Sequence, residues 1–582
     1  MINLGLSPAI MHKRQPFCIL MHLNDMNKSL NRFCRFIMFA CLLSYGMPPL
    51  HADDKKDFDI NRNIDIFSNL FKELDRYYVD SIPAEEMVTQ GINAMLSHID
   101  PYTTYIPESQ REDFETMTTG QYGGIGAIIQ QKGDSVLISE PYEGMPAAQV
   151  GLRPGDVILA IDSISMVGKT TSQVSAKLKG EPETQFILRI GRKGLSEPLN
   201  IPITRQNIQL NAVPYAGMLN DSIGYIFLSN FTDKAAKEVR EALVKMQSEN
   251  NLKGLVFDLR NNPGGILEDA IEILNLFLPK GKTVLETRSK TRNWDRTYKT
   301  TRDPIAPDLP LAILINSGSA SAAEIVSGAL QDLDRAVVIG ERSFGKGLVQ
   351  STRPVSYNGL LKVTTAKYYI PSGRLIQAID YRHRNPDGSV GRIPDSLTTV
   401  FYTENLRPVR DGGGITPDIA YKPSNPSNLL MYLIRDQLIF DFANDYAATH
   451  TSIGDIHTFQ INDTVYQDFV DYVKAQKFTY DRESLKALER LKELAQFEGY
   501  ATDAKDAFDM LEKKLEHNID HDLQTFREEV QQYLEQEIAR RYYYQKGEII
   551  QILKTDKTLD KALEILENKV EYKHILAPPA KK

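Results

Sequence analysis

Between residues 206 and 425 four apolar runs, Ile223–Leu228, Gly254–Leu259, Leu311–Asn316 and Ala336–Ile339, alternate with amphipathic stretches at Ala235–Met246, Ile266–Leu276 and Ala322–Leu330. Short buried strands separated by helices predict an α/β core with a largely parallel sheet. Three glycine-containing loops fall at the ends of these strands, and the chemistry of the chain is sought there.

The flanks have other textures. Residues 53–116 read as a helical segment, because Ile64, Phe67, Leu70, Phe71 and Leu74 recur at three- and four-residue spacing until Asp100-Pro101-Tyr102-Thr103 breaks the pattern. Residues 117–205 carry short strands and turn signals, with helical character around Thr171–Leu178 and a strand at Gln185–Ile190, which predicts a small compact domain. Residues 426–582 are rich in Glu, Lys, Leu and Tyr with helical periodicity and predict an all-α region. A chain of 582 residues has room for about three to five domains, in agreement with this division. Its net charge of −8 argues against a nucleic-acid binder.

Residues 1–52 read as a secretory signal with extra residues upstream. Lys28, Arg32 and Arg35 precede the apolar stretch Phe36–Tyr45, and Leu50-His51-Ala52 ends on a small residue before Asp53-Asp54. Cleavage after Ala52 would leave no cysteine, since Cys18, Cys34 and Cys41 are the three in the chain. A thiol-free mature chain suits an oxidising compartment. The expectation is export to the periplasm, or membrane association should the segment be retained.

No histidine lies between His98 and His383, so a Ser-His-Asp triad or a Cys-His pair inside the α/β core is excluded. His517 and His521, four apart on a predicted helix, read as a solvated face and not a metal site, and no cofactor is expected. The first glycine loop, Asp258–Gly265, brings Gly264 and Gly265 to a helix start, where backbone N–H groups can meet a developing negative charge. In the second, Asn316–Glu324, serines run into a helix. The third, Gly340–Gly347, fits GxxxxGK but has Gly347 where a P-loop needs Ser or Thr. Its Ser343-Phe344-Gly345-Lys346 also fits SxxK, without the helix that pattern requires. What remains is a lysine among glycines beside a serine at a helix start. Burial lowers a lysine pKa, and a Ser–Lys pair is a known nucleophile–base arrangement.

These motifs, together with Gly124-Ile125-Gly126-Ala127 and Gly155-Asp156-Val157-Ile158, resemble the C-terminal processing peptidases, exported serine endopeptidases with an embedded PDZ domain. The resemblance covers roughly residues 60–425. It implies an α/β protease core with an inserted PDZ-like domain, flanked by the helical segments. It further implies Ser321 as nucleophile, Lys346 as base and Gln350 as the residue orienting that base. The implied oxyanion donors are the amide of Ala322 and that of Gly265 or Gly264. By the same resemblance Gly124, Ile125, Gly126 and Ala127 form the loop holding a substrate's terminal carboxylate, and Ile125 and Ile129 imply apolar C-terminal tails as partners. Ala323 departs from the family's usual serine at that place. An inactive PDZ scaffold or chaperone is the alternative, and the helical ends are candidate surfaces for a homodimer or an adaptor.

Overall fold

A computed structural model describes residues 53–384, 390–515 and 518–579. Residues 1–52, read above as a secretory signal, and His517 lie outside the described residues. The chain divides into two units at residues 90 and 91. In the first lie helix Asp53–Tyr77 and the start of helix Ala84–Ser97.

In the second unit the small domain is a sheet in the order Ala127–Lys132 (β1), Ser135–Pro141, Val157–Ile161, Gln185–Gly191 and Leu199–Thr204. Apolar residues at every second position of Gln185–Gly191 point inwards: Phe186, Leu188 and Ile190 are buried while their neighbours are exposed. Helix Thr171–Leu178 begins at a capping box, with the Thr170 hydroxyl accepting from Gln173 N–H and Gln173 accepting from Thr170 N–H. Because β1 is the last strand of its sheet, one of its edges is unpaired by any described strand.

The core sheet has six strands. Ile223–Phe227 (β2), Gly254–Asp258 (β3), Leu311–Ile315 (β4) and Val337–Gly340 (β5) are parallel neighbours, with Ile419–Ala420 parallel beyond them and Tyr215–Met218 antiparallel at the other edge. One face, with Leu255, Phe257 and Ile313, packs on helices Ala235–Glu249 (α1), Leu267–Leu274 (α2) and Ala322–Asp332 (α3). The opposite face, with Val256, Ala312 and Leu314, is covered by Leu559, Ala562, Ile565 and Leu566 of helix Lys557–Glu567. The C-terminal helices therefore complete the core and are not a mere appendage. Arg260 fixes that junction, pairing with both Asp258 at the end of β3 and Asp556, whose carboxylate caps helix Lys557–Glu567.

Of a second, antiparallel sheet the sequence indicates only the extended stretch Leu348–Pro354. Leu348–Pro354 (β6) and Leu360–Tyr369 (β7) pair with each other, and β7 also pairs with Thr104–Ile106 and Thr283–Ser289. The rest of the helical region has its own core around Leu430, Phe442, Phe469 and Leu534. The small domain leans on it through Lys132–Asp441 and Lys193–Asp445 ion pairs.

Truncating a buried leucine leaves a cavity in addition to lost apolar contact. Leu559→Ala, on the covering helix, is expected to destabilise the α/β core by about 2–5 kcal/mol in urea unfolding, although residue 559 lies far from the loops in sequence.

Candidate active site

The three glycine loops converge at one end of the core sheet. Ser321 stands immediately before the first turn of α3 with φ 56° and ψ −114°, a backbone conformation that a non-glycine residue adopts only under constraint. Gly264 is what permits the neighbouring loop to approach. A Cβ there would lie 2.7 Å from Ser321 Cβ and 2.9 Å from Ala322 N.

The constraint comes from Glu324, fully buried one turn into α3. Its Oε2 accepts from the backbone N–H groups of Ser321 at 2.9 Å and Lys346 at 2.8 Å. Its Oε1 accepts from Gly345 N–H at 2.7 Å and from the Ser343 hydroxyl, which itself accepts from Ile415 N–H. One oxygen atom thus holds both the serine loop and the lysine loop. Burial pushes the Glu324 carboxyl up to about 7, against the pull of four hydrogen bonds that favour its charged form. Tyr368 completes the clamp from the other side, its buried hydroxyl lying against the carbonyls of both Ser321 and Lys346. Sequence reasoning missed both residues. Glu324 served only as a marker of the serine run, and Tyr368 lies on β7 with no local motif.

Lys346 is brought to the serine by this clamp. Burial, helped by Lys362, pushes its ammonium down to about 8, while Glu324 and Asp100 act in the opposite sense. Its Nζ lies 4.6 Å from the centre of the Tyr102 ring. No hydrogen bond joins Nζ to Ser321 Oγ among the described residues. The Gln350 amide donates to Leu348 O at 3.3 Å and to Thr364 Oγ1 at 3.2 Å, and no hydrogen bond joins it to Lys346 among the described residues. Thr364 N–H in turn donates to Thr103 Oγ1, in the turn that carries Tyr102.

The two glycines are distinguished by their partners. Gly264 N–H is consumed by Asn262 Oδ1 at 2.9 Å. Gly265 N–H and Ala322 N–H have no hydrogen-bond partner among the described residues, and Gly265 is exposed. Ser343, the serine of the SxxK reading, is occupied by Glu324 and sits in no helix.

In the small domain, Gly124 ends a two-stranded ribbon opposite Gln206, and the carbonyls of Ile125 and Gly126 accept from Ala147 and Tyr142. The N–H groups of Ile125 and Gly126 have no partner among the described residues. Ala127 opens β1, so the loop leads directly into the free edge. Ile125 is 3% exposed and belongs to the domain core, with Ile129 packed against that core.

A cavity of about 610 Å³ adjoins the lysine loop, with Leu348, Ala366, Tyr369, Ile379 and Tyr381 among its lining. Comparison with known proteins defines the class, a protease of the serine type. Residues 222–390 match Peptidase family S41, residues 137–192 a PDZ domain, and residues 429–566 the C-terminal helical domain of probable PDZ-proteases. A carboxy-terminal-processing protease of Bartonella bacilliformis is 37% identical over 316 residues, 54% of this chain and 72% of that protein. A probable CtpA-like serine protease of Staphylococcus aureus is 34% identical over 401 residues, 66% of this chain and 78% of that protein. Among solved structures, a photosystem II D1 C-terminal processing protease is 25% identical, with a TM-score of 0.34 over 62% of this chain and 92% of that one. The chain belongs to the C-terminal processing proteases of peptidase family S41.

Glu324→Ala removes the acceptor of four donors, of which the Ser343 hydroxyl and the Gly345 N–H are buried, and each buried donor left unpaired costs roughly 1–3 kcal/mol. Urea unfolding is expected to show a loss of at least about 3 kcal/mol, together with loss of proteolysis. Gly264→Ala is expected to inactivate as well, because its Cβ collides with Ser321.

Proposed function

We propose that this protein is an exported endopeptidase that docks the C-terminal tail of a protein substrate in its PDZ domain and cleaves upstream with a Ser321–Lys346 dyad. The observation that carries the reading is the single Glu324 oxygen shared by the backbones of the two residues.

Docking uses the free edge of β1 as the place for strand addition and the N–H groups of Ile125 and Gly126, within Gly124–Ala127, as the seat of the terminal carboxylate. The apolar floor around Ile129 favours apolar tails. Export is supported by the signal-like N-terminus and by the absence of cysteine after Cys41. No helix among the described residues is long and apolar enough to cross a membrane.

In the chemical step Lys346, as the neutral amine, takes the proton from Ser321 Oγ as that oxygen attacks the peptide carbonyl. Substrate entry closes the gap between amine and hydroxyl, since catalytic hydrogen bonds are often loose before substrate arrives. The oxyanion is received by Gly265 N–H and Ala322 N–H, Gly264 being already engaged. Each such donor is worth about 10²–10³ in turnover. The lysine returns its proton to the leaving amine, and water then hydrolyses the acyl-enzyme. Gln350 acts on the base indirectly, through Thr364 and the Asp100–Thr103 turn.

Ser321→Ala and Lys346→Ala are expected to abolish cleavage of a quenched peptide bearing an apolar free C-terminus while leaving the melting temperature nearly unchanged. Lys346→Arg is expected to fail too, because a guanidinium remains charged. Because the acting form is the neutral amine and burial sets its ammonium to about 8, kcat/KM should rise with pH and level off above that value. Full activity of Lys346→Ala, or a rate indifferent to pH across that value, would refute the dyad.

A further inference from the structure

The amine of Lys346 ends against a ring face and not against an acceptor. It makes no hydrogen bond or ion pair with any described residue, and the Tyr102 ring is its neighbour at 4.6 Å. The charged groups around it are Glu324 on α3, Asp100 in the turn of Tyr102, and Lys362 on β7. Both carboxylates are already engaged. Glu324 serves four donors, and Asp100 accepts from Tyr102 N–H at 2.9 Å, Thr103 N–H at 2.7 Å and the Thr103 hydroxyl at 3.2 Å. Neither is spare to hold the ammonium.

Tyr102, by contrast, is fixed as a platform. Asp100 anchors its backbone, and the Tyr381 hydroxyl donates to its own at 3.1 Å. The Tyr381 ring meets it edge-on, 5.8 Å between centres at 89°. The face of an aromatic ring attracts a cation and gives a neutral amine no comparable hold. Such a ring therefore discriminates between the two protonation states of the base, in the sense opposite to burial.

We propose that Tyr102 is the positioning residue of the general base, its ring face seating the Lys346 ammonium in the resting enzyme and freeing the amine towards Ser321 once the proton has passed to solvent. The inference rests on the dyad reading above. It gives the Asp100-Pro101-Tyr102-Thr103 turn a chemical role, in which Asp100 fixes the turn, Thr103 ties it to β7, and Tyr102 sets the pH at which the enzyme switches on. The phenol of Tyr368 is committed to backbone carbonyls and does not compete for the amine.

The test is the pH dependence of kcat/KM in the full-length enzyme with position 102 occupied by phenylalanine and then by its mono-, di- and trifluorinated analogues, which keep the ring's shape while weakening its hold on a cation. With Tyr102→Phe as the reference, the rising limb is expected to move to lower pH with each fluorine, by about half a unit or more in total. Tyr102→Leu, lacking a ring, should move it at least as far. A limb that stays in place across the fluorinated series, or moves to higher pH, overturns the proposal. Lys346→Ala, assayed alongside, separates the two ideas. An inactive Lys346→Ala with an unmoved series removes the role of Tyr102 alone, whereas an active Lys346→Ala removes the dyad and the role of Tyr102 with it.

Discussion

A carboxylate sealed from water with four donors pointed at it is costly to form and costly to disturb, and the organisation of this protein depends on one, Glu324. Desolvating the group opposes folding, while the bonds from Ser321, Ser343, Gly345 and Lys346 offset that cost by satisfying it. The consequence is positional. Residues 321 and 346 are joined at a single oxygen atom, so the unusual backbone at Ser321 and the glycine-flanked lysine loop are parts of one arrangement. Tyr368 repeats the logic with the opposite polarity by facing the two carbonyls.

Around this centre each layer of the fold has a use. The parallel strands deliver their loops to one end, where α3 offers its first amide and Gly265 offers another. The antiparallel sheet supplies Tyr368, Thr364 and Lys362. The helical C-terminus closes the reverse face of the core sheet, and Arg260 ties that closure to the loop bearing the glycines. The glycine-bearing loop and the start of helix Lys557–Glu567 thus share one arginine, an ion pair of this kind being more telling about register than about net stability.

Much of this was legible from residue order. The core strands begin and end within a residue or so of the apolar runs, because strands buried on both faces read as continuous apolar stretches. Helix Thr171–Leu178 was legible too, and in the structure Thr170 and Gln173 form its cap. The antiparallel sheet beyond Leu348–Pro354 was not legible, for a physical reason: Leu360–Tyr369 is half-buried along nearly its whole length, so it shows neither a clean alternation nor an apolar run. Gln350, whose role rested on the family resemblance, has partners that residue order does not indicate. Four residues from Lys346 in sequence, it is turned to Thr364 by a pairing whose register shifts at Val349/Gln350.

Residue order alone determined the core strands and helices, the lack of imidazole and thiol in the core, and the presence of a lysine among glycines near a serine at a helix start, since these are matters of composition and local period. Folding in three dimensions selected which glycine keeps a free N–H, what holds the serine and lysine loops together, and which ring the ammonium rests upon. Those outcomes join residues tens to hundreds of positions apart, and they turn on which hydrogen-bonding groups are already occupied, a property that only the folded chain possesses.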